Sequence, residues 1–154
     1  MKKNDIWLKL FRIFLPLVVG VIVSIIIKDS IDYEIIVKPP FAPPSFLFPI
    51  AWTIIYLLMG IAYYLFRKNG NENTNKVIIV YYLQLLVNAL WSIIFFVFKW
   101  RLLAIIWIIL LLILVVYLFV SFGKKDKTSA YLLIPYVVWL VFATYLNIGI
   151  YLLN

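Results

Sequence analysis

Residues Leu102–Phe122 read LLAIIWIILLLILVVYLFVSF, without one charged side chain. At a helical rise of about 1.5 Å per residue, such a run is long enough to cross a hydrocarbon core of roughly 30 Å. Lys99-Trp100-Arg101 bounds it on one side and Lys124-Lys125 on the other, the charged edges a membrane span carries. Moving outward, similar runs flank it at Val77–Phe98 and Ala130–Leu153, and two more precede them at Ile6–Ile27 and Phe46–Phe66. The expected fold class is an all-α membrane protein, a bundle of five transmembrane helices. One transmembrane domain over residues 1–154 accounts for the chain, with spans at about 6–27, 46–66, 77–98, 102–122 and 130–153. The connectors Arg67–Lys76, Lys99–Arg101 and Gly123–Ser129 are short, which forces antiparallel neighbours. The exception is the loop 28–45, which holds four of the seven prolines.

Composition agrees with this reading. Of 154 residues, 67% are hydrophobic and 13% charged, and mean hydropathy is +1.11. Soluble domains are usually about 45–50% apolar, so this chain has more apolar surface than a water-soluble fold of its size can bury. The net charge of +8 is expected at helix ends and headgroups, with the lipid bilayer as partner and no role for nucleic acid. Ten of the 14 Lys and Arg residues fall on one side: Lys2, Lys3, Lys9, Arg12, Arg67, Lys68, Lys76, Lys124, Lys125 and Lys127. Lys28, Lys38, Lys99 and Arg101 fall on the other. The predicted topology is a multi-pass protein of the cell membrane, with a cytoplasmic N-terminus and the C-terminus outside. Lys9 and Arg12 read as snorkelling cations, and Pro16 is expected to bend the first helix. No small-residue cleavage site follows Ile13–Ile27, so this span is expected to be retained.

The sequence excludes much chemistry. There is no Cys and no His, so thiolate, imidazole and the usual zinc chemistries are absent and no metal site is expected. No Asp or Glu lies inside a span, which argues against proton-coupled pumping and paired-carboxylate hydrolysis. What remains is aromatic and amide chemistry, with 6 Trp, 11 Tyr and 12 Phe. Trp7, Trp100 and Trp107 read as an interfacial belt. Three stripes at helical spacing read differently: Trp52, Tyr56, Met59 and Tyr63; Tyr81, Gln84, Asn88 and Trp91; Tyr136, Trp139, Ala143 and Asn147. Amides facing lipid are costly, so these faces should point inward. They serve either as interhelical hydrogen-bond glue or as a pocket with flat aromatic walls for a large apolar ligand. The fourth span, almost pure Leu, Ile and Val, is expected to be a lipid-facing scaffold.

The run Lys38-Pro39-Pro40-Phe41-Ala42-Pro43-Pro44, followed by Pro49-Ile50-Ala51-Trp52-Thr53-Ile54-Ile55-Tyr56, is more specific than any stripe. Together with Gln84–Phe96 (QLLVNALWSIIFF) and Pro135–Asn147 (PYVVWLVFATYLN), it resembles the TspO/MBR family of tryptophan-rich sensory and translocator proteins. The likeness covers essentially the whole chain. It implies five helices, a homodimer, and binding of porphyrins and of the isoquinoline carboxamide PK11195, with a pocket beneath the first loop. Carried over by motif, the ligand-binding positions are Tyr33, Pro43, Pro44, Trp52, Tyr56, Asn88, Trp91, Trp139, Ala143 and Leu146. The resemblance further implies handling of protoporphyrin IX, including light-dependent oxidative breakdown, with Trp52 and Trp139 in the catalytic role. No covalently bound cofactor is expected; the ligand is a metal-free tetrapyrrole held by stacking, its propionates reaching Lys38 or Lys28. Two departures stand out. Phe41 replaces a frequent Trp, and neither Tyr145 nor Tyr151 is followed by the Lys or Arg of the sterol-recognition pattern. Transport of tetrapyrroles or of lipids and sterols, and a purely structural role, stay open as alternatives. Gly20 and Ser24 form a small-xxx-small pair that suggests a helix contact.

Overall fold

The computed structural model describes residues 3–69 and 74–154. Lys2, the Lys3 side chain and residues 70–73 of the second connector lie outside the described residues. The chain is an all-α membrane protein, with five helical segments among the described residues long and apolar enough to span a bilayer: Asp5–Ser30, Leu47–Asn69, Asn75–Val97, Arg101–Gly123 and Lys127–Leu153. Helix α1 is Lys3–Ile27, α2 is Leu47–Asn69, α3 is Asn75–Ser92 and α4 is Arg101–Gly123. The fifth span is split into α5, Lys127–Tyr131, and α6, Ile134–Leu153.

Helix α1 continues through Pro16, whose side chain is buried. Its closest partner is α2, and the two run in backbone contact. A Cβ built on Gly60 would lie 1.9 Å from the Ile13 carbonyl oxygen, so only glycine permits this crossing. Gly20 has a similar role, because a Cβ there would come within 2.3 Å of the Tyr56 ring. The Gly20 contact is therefore made to α2 of the same chain.

One expectation is corrected. Helix α4 is not a lipid-facing scaffold on all sides: it packs against α3, α5 and α6. Ala104, Ile108, Leu111, Val115, Leu118 and Phe122 form its buried stripe, each at 0–1% exposure. A helix that is apolar all round offers no periodicity from which this face can be read. Trp107, expected as a belt residue, is half-buried. Its indole donates to the Val87 carbonyl on α3 at 2.9 Å, a bond between helices. Trp7 and Trp100 are exposed, at 66% and 57%.

Local chemistry sets the breaks. Residues Ile93–Val97 form a π-helical turn at the end of α3. Lys99 then takes a left-handed conformation, φ 57°, which ends the helix and turns the chain into α4. Pro135 lacks an N–H and its ring crowds the preceding turn, so the fifth span breaks at Leu132–Leu133. Asp126 caps α5, accepting from the Ser129 backbone N–H at 2.9 Å.

Candidate functional site

A cavity of about 380 Å³ lies at the loop-covered end of the bundle. It is walled by α1, α2, the π-helical turn and α6, with the first loop across its mouth. Of the positions expected from sequence, Tyr33, Trp52, Tyr56, Trp91, Ala143 and Leu146 line it. The aromatic wall is built around Trp52. Its ring stacks on Tyr56 at 5.4 Å and lies 6.4 Å from Trp91. Tyr136 and Trp139 meet it edge-on at 6.3 Å and 6.2 Å. Such offset and edge-on contacts are the favoured aromatic geometries.

Asn88, Trp139, Pro43, Pro44 and Lys38 are outside the cavity lining. Asn88 stands behind the wall, accepting from the Tyr56 hydroxyl at 2.7 Å and donating to the Tyr136 oxygen at 2.7 Å. Tyr136 in turn donates to Gln84 Oε1 at 3.0 Å, and the Gln84 amide donates to the Met59 sulfur at 3.2 Å. The three inward stripes thus meet in one buried chain of donors and acceptors linking α2, α3 and α6. Trp139 packs against Trp52 and Phe48, and its buried indole N–H has no partner. Lys38 Nζ lies 4.8 Å over the Tyr33 ring and 3.9 Å from the Glu34 carboxylate. Lys28 is exposed on the 3₁₀ turn Lys28–Ser30.

Sequence reasoning missed Phe95 and Phe96. Both line the cavity from the π-helical turn, and Trp91 stacks on Phe95 at 5.3 Å. Phe95 continues the Tyr81–Gln84–Asn88–Trp91 stripe at i+4, so spacing was a signal that could have found it, whereas Phe96 lies off that stripe and lines the cavity from the wider π turn. Asn147, on the third inward stripe, both lines the cavity and accepts from the Trp91 indole at 3.2 Å.

The loop is fastened as a lid. Tyr33 donates to the Pro43 carbonyl at 2.7 Å, and burial together with the Glu34 carboxylate pushes its phenol above the ordinary value, so it stays a neutral donor. Tyr145 on α6 donates to Pro40 at 2.7 Å. Asn154 pairs with the Val37 backbone, accepting at 3.0 Å and donating at 2.9 Å. Gly149 leaves room for Pro39, which would meet a Cβ there at 2.6 Å. On the other side, Asp32 is gripped by Arg101 at 2.6 Å and Lys99 at 3.6 Å. Arg101 also donates to the Phe95 carbonyl at 2.7 Å and lies over that ring at 4.1 Å. The same cation therefore fixes the lid and the π-helical turn.

The lining residues that are also exposed are mostly on α1 and α2: Val21, Ser24, Pro49 and Thr53. The cavity therefore opens sideways between these two helices, toward the bilayer. The arrangement offers a stacking surface, few polar groups and no acid–base pair.

Comparison with known proteins agrees with the residue pattern. Residues 12–153 match the TspO/MBR family. A tryptophan-rich protein TspO of Archaeoglobus fulgidus is 43% identical over 122 residues, covering 79% of each chain. Its counterpart in Chlorobaculum tepidum is 36% identical, covering 79% of this chain and 78% of its own. A translocator protein homolog of Schizosaccharomyces pombe is 35% identical over 146 residues, covering 90% of this chain and 87% of its own. With this match spanning nearly every residue that builds the cavity and its lid, the chain belongs to the TspO/MBR family.

Proposed function

We propose that this protein is a membrane receptor for a metal-free tetrapyrrole such as protoporphyrin IX, and that it promotes light-dependent oxidative breakdown of the bound ring. The observation that carries this reading is the aromatic wall around Trp52, which faces a largely apolar cavity opening toward lipid. A flat macrocycle gains stacking and buried area there, and its bulk extends through the slot between α1 and α2. The propionates reach toward Lys38 in the lid, whose Nζ also lies 3.9 Å from the Glu34 carboxylate. The same wall suits PK11195-type aromatic amides.

Breakdown needs no acid or base from the chain. The illuminated porphyrin supplies the excited state, dissolved dioxygen is the oxidant that is reduced as the ring is oxidised, and an indole in contact with the ring is a neighbour that can exchange electrons with it. Trp52 is placed in the wall, and Trp139 is in edge contact with Trp52. The protein positions the ring and confines the products.

Transport of tetrapyrroles or lipids is the rival reading. The lid bears on it: the loop is fastened to α6 and to the start of α4, which favours sideways entry and return over passage through the bundle. Homodimerisation rests on the family resemblance, and sedimentation in detergent tests it. A cytoplasmic N-terminus rests on the distribution of Lys and Arg. The chain has no Cys, so single introduced cysteines at Asp5 and Phe41 report which end is reached by a membrane-impermeant thiol reagent.

The test is a dark titration with protoporphyrin IX followed by tryptophan quenching, then illumination, with Trp52→Phe and Trp139→Phe alongside. Saturable quenching is expected, followed by porphyrin loss that slows in both variants. Saturable quenching with no light-dependent loss leaves a receptor without photochemistry. Absence of saturable quenching overturns the tetrapyrrole assignment. Flux of porphyrin across proteoliposomes in the dark would favour transport.

A further inference from the structure

The opposite end of the α1–α2 pair carries a second cluster of side chains that the cavity does not use. The Gly60–Ile13 crossing sets the register of the two antiparallel helices. One turn toward the N-terminus, Lys9 Nζ lies 5.3 Å over the Tyr64 ring. Gly60, Tyr63, Tyr64 and Arg67 recur at helical spacing, so Arg67 shares the face of α2 that meets α1, while Arg12 adjoins Ile13 on the facing helix. Arg12 and Arg67 are themselves half-buried, and Arg67 Nε is buried with no hydrogen-bond partner.

Among the described residues no carboxylate oxygen lies within 4.0 Å of these three cations. The described ion pairs, Lys38–Glu34, Lys99–Asp32 and Arg101–Asp32, all lie at the lid end. Asp126 is engaged by Ser129 and Asn69 as a helix cap. Half-buried cations gathered on one seam repel each other, and an anion held among them relieves that repulsion. Asp5 is one turn from Lys9 but about 10 Å along the helix from Arg12, and it forms no described ion pair. The Arg12 side chain leaves the helix toward the N-terminus and so reaches the headgroup level. Around it, Leu8, Phe11 and Phe14 are exposed at 47%, 54% and 43%, a surface for acyl chains.

We propose that the basic end of the α1–α2 seam binds the phosphate of an anionic phospholipid between Arg12 and Arg67, with Lys9 as a third cation. Planar guanidiniums bind phosphate oxygens in a bidentate fork, which a diffuse lysine patch does not reproduce. The shared chemistry is a phosphate anion, and it has two sources: a lipid headgroup or free phosphate.

The purified full chain in neutral detergent is given phosphatidylglycerol, phosphatidylcholine of the same acyl chains, or inorganic phosphate at millimolar concentration. Retained adducts are counted by native mass spectrometry, and melting is followed in parallel. Phosphatidylglycerol is expected to bind in preference to phosphatidylcholine and to raise the melting temperature, because a ligand of the folded state stabilises it. Arg12→Gln and Arg67→Gln should each weaken this preference about fivefold. Lys124→Gln/Lys125→Gln removes two charges from the same end, away from the seam, and should retain it. If the glutamine variants do not fold, Arg12→Lys/Arg67→Lys keeps the charge without the fork and should still lose affinity. Equal binding of the two lipids by the unaltered chain overturns the proposal. So does equal loss in the Lys124/Lys125 variant. An equal melting shift from inorganic phosphate overturns the lipid assignment and leaves a free-anion site.

Discussion

The Tyr56 hydroxyl donates to Asn88 Oδ1 at 2.7 Å, and this bond joins the cavity wall to the buried polar chain behind it. Tyr56 presents its ring to Trp52 and its oxygen to α3. The orientation of the aromatic wall therefore depends on an amide that does not touch the cavity.

Asn88→Ala tests this coupling. It removes the bonds to Tyr56 and Tyr136 and leaves a buried phenol without its acceptor. The expected loss of stability is about 1–3 kcal/mol, read by thermal or SDS unfolding. Ligand affinity should fall with it, although no contact to ligand has been removed. Tyr56→Phe, which breaks one bond and keeps the ring, should cost less.

Gly60→Ala should be among the more damaging small changes. Its Cβ meets the Ile13 backbone, which has no rotamer by which to yield, so α1 and α2 must separate. Overpacking of this kind costs about 1–3 kcal/mol. Gly123→Ala is the control: its Cβ would lie 3.4 Å from the Ala130 Cβ, ordinary contact. Melting of the two variants should separate them clearly.

Asp32→Asn should loosen the lid. Asp32 and Arg101 side chains are only 9% and 14% exposed, so losing the anion leaves a nearly buried guanidinium unpaired. Removal of one partner from a buried pair costs about 3–5 kcal/mol. Faster ligand release, measured by stopped-flow recovery of tryptophan fluorescence, is the expected functional result. Unchanged release would mean that the α6 anchors hold the lid without Asp32.

Acid should weaken the α5 cap. The Ser129 hydroxyl holds the Asp126 carboxyl below the usual carboxylate range, aided by the Ser129 and Thr128 backbone N–H groups and Asn69, against a smaller opposing effect of burial. A lowered pKa in the fold means the stabilisation is complete above the unfolded value of about 3.9 and is lost as pH falls through the folded one. Asp126→Ala should therefore cost about 1 kcal/mol at neutral pH and flatten the acid limb of the stability profile. A parallel acid limb in the variant would assign that loss to other carboxylates.

Much of the site was legible because hydrophobic runs and i, i+3, i+4 spacing are properties of single helices. The Trp52–Tyr56 wall and the inward Gln84–Asn88 face follow from spacing and from the cost of amides in lipid. Phe95 was legible as the i+4 continuation of that face but was not drawn from it; Phe96 was not legible, because it lies off the stripe and reaches the cavity through the π-helical turn. The lid anchors were not either: Tyr145–Pro40 and Asn154–Val37 join residues 105 and 117 positions apart.

What the sequence determined by itself is the number of spans, the all-α class, the family and the aromatic character of the pocket. Each rests on local composition or on a motif, and the bilayer makes these decisive by requiring every backbone polar group to be satisfied within its own helix. The tertiary structure alone decided which face of α4 is buried, that Trp107 bonds across to α3, and that Asn88 supports the wall from behind. The reason is the same in all three cases. In a chain that is apolar on nearly every side, water cannot select the buried face, so close packing and a few interhelical hydrogen bonds select it instead.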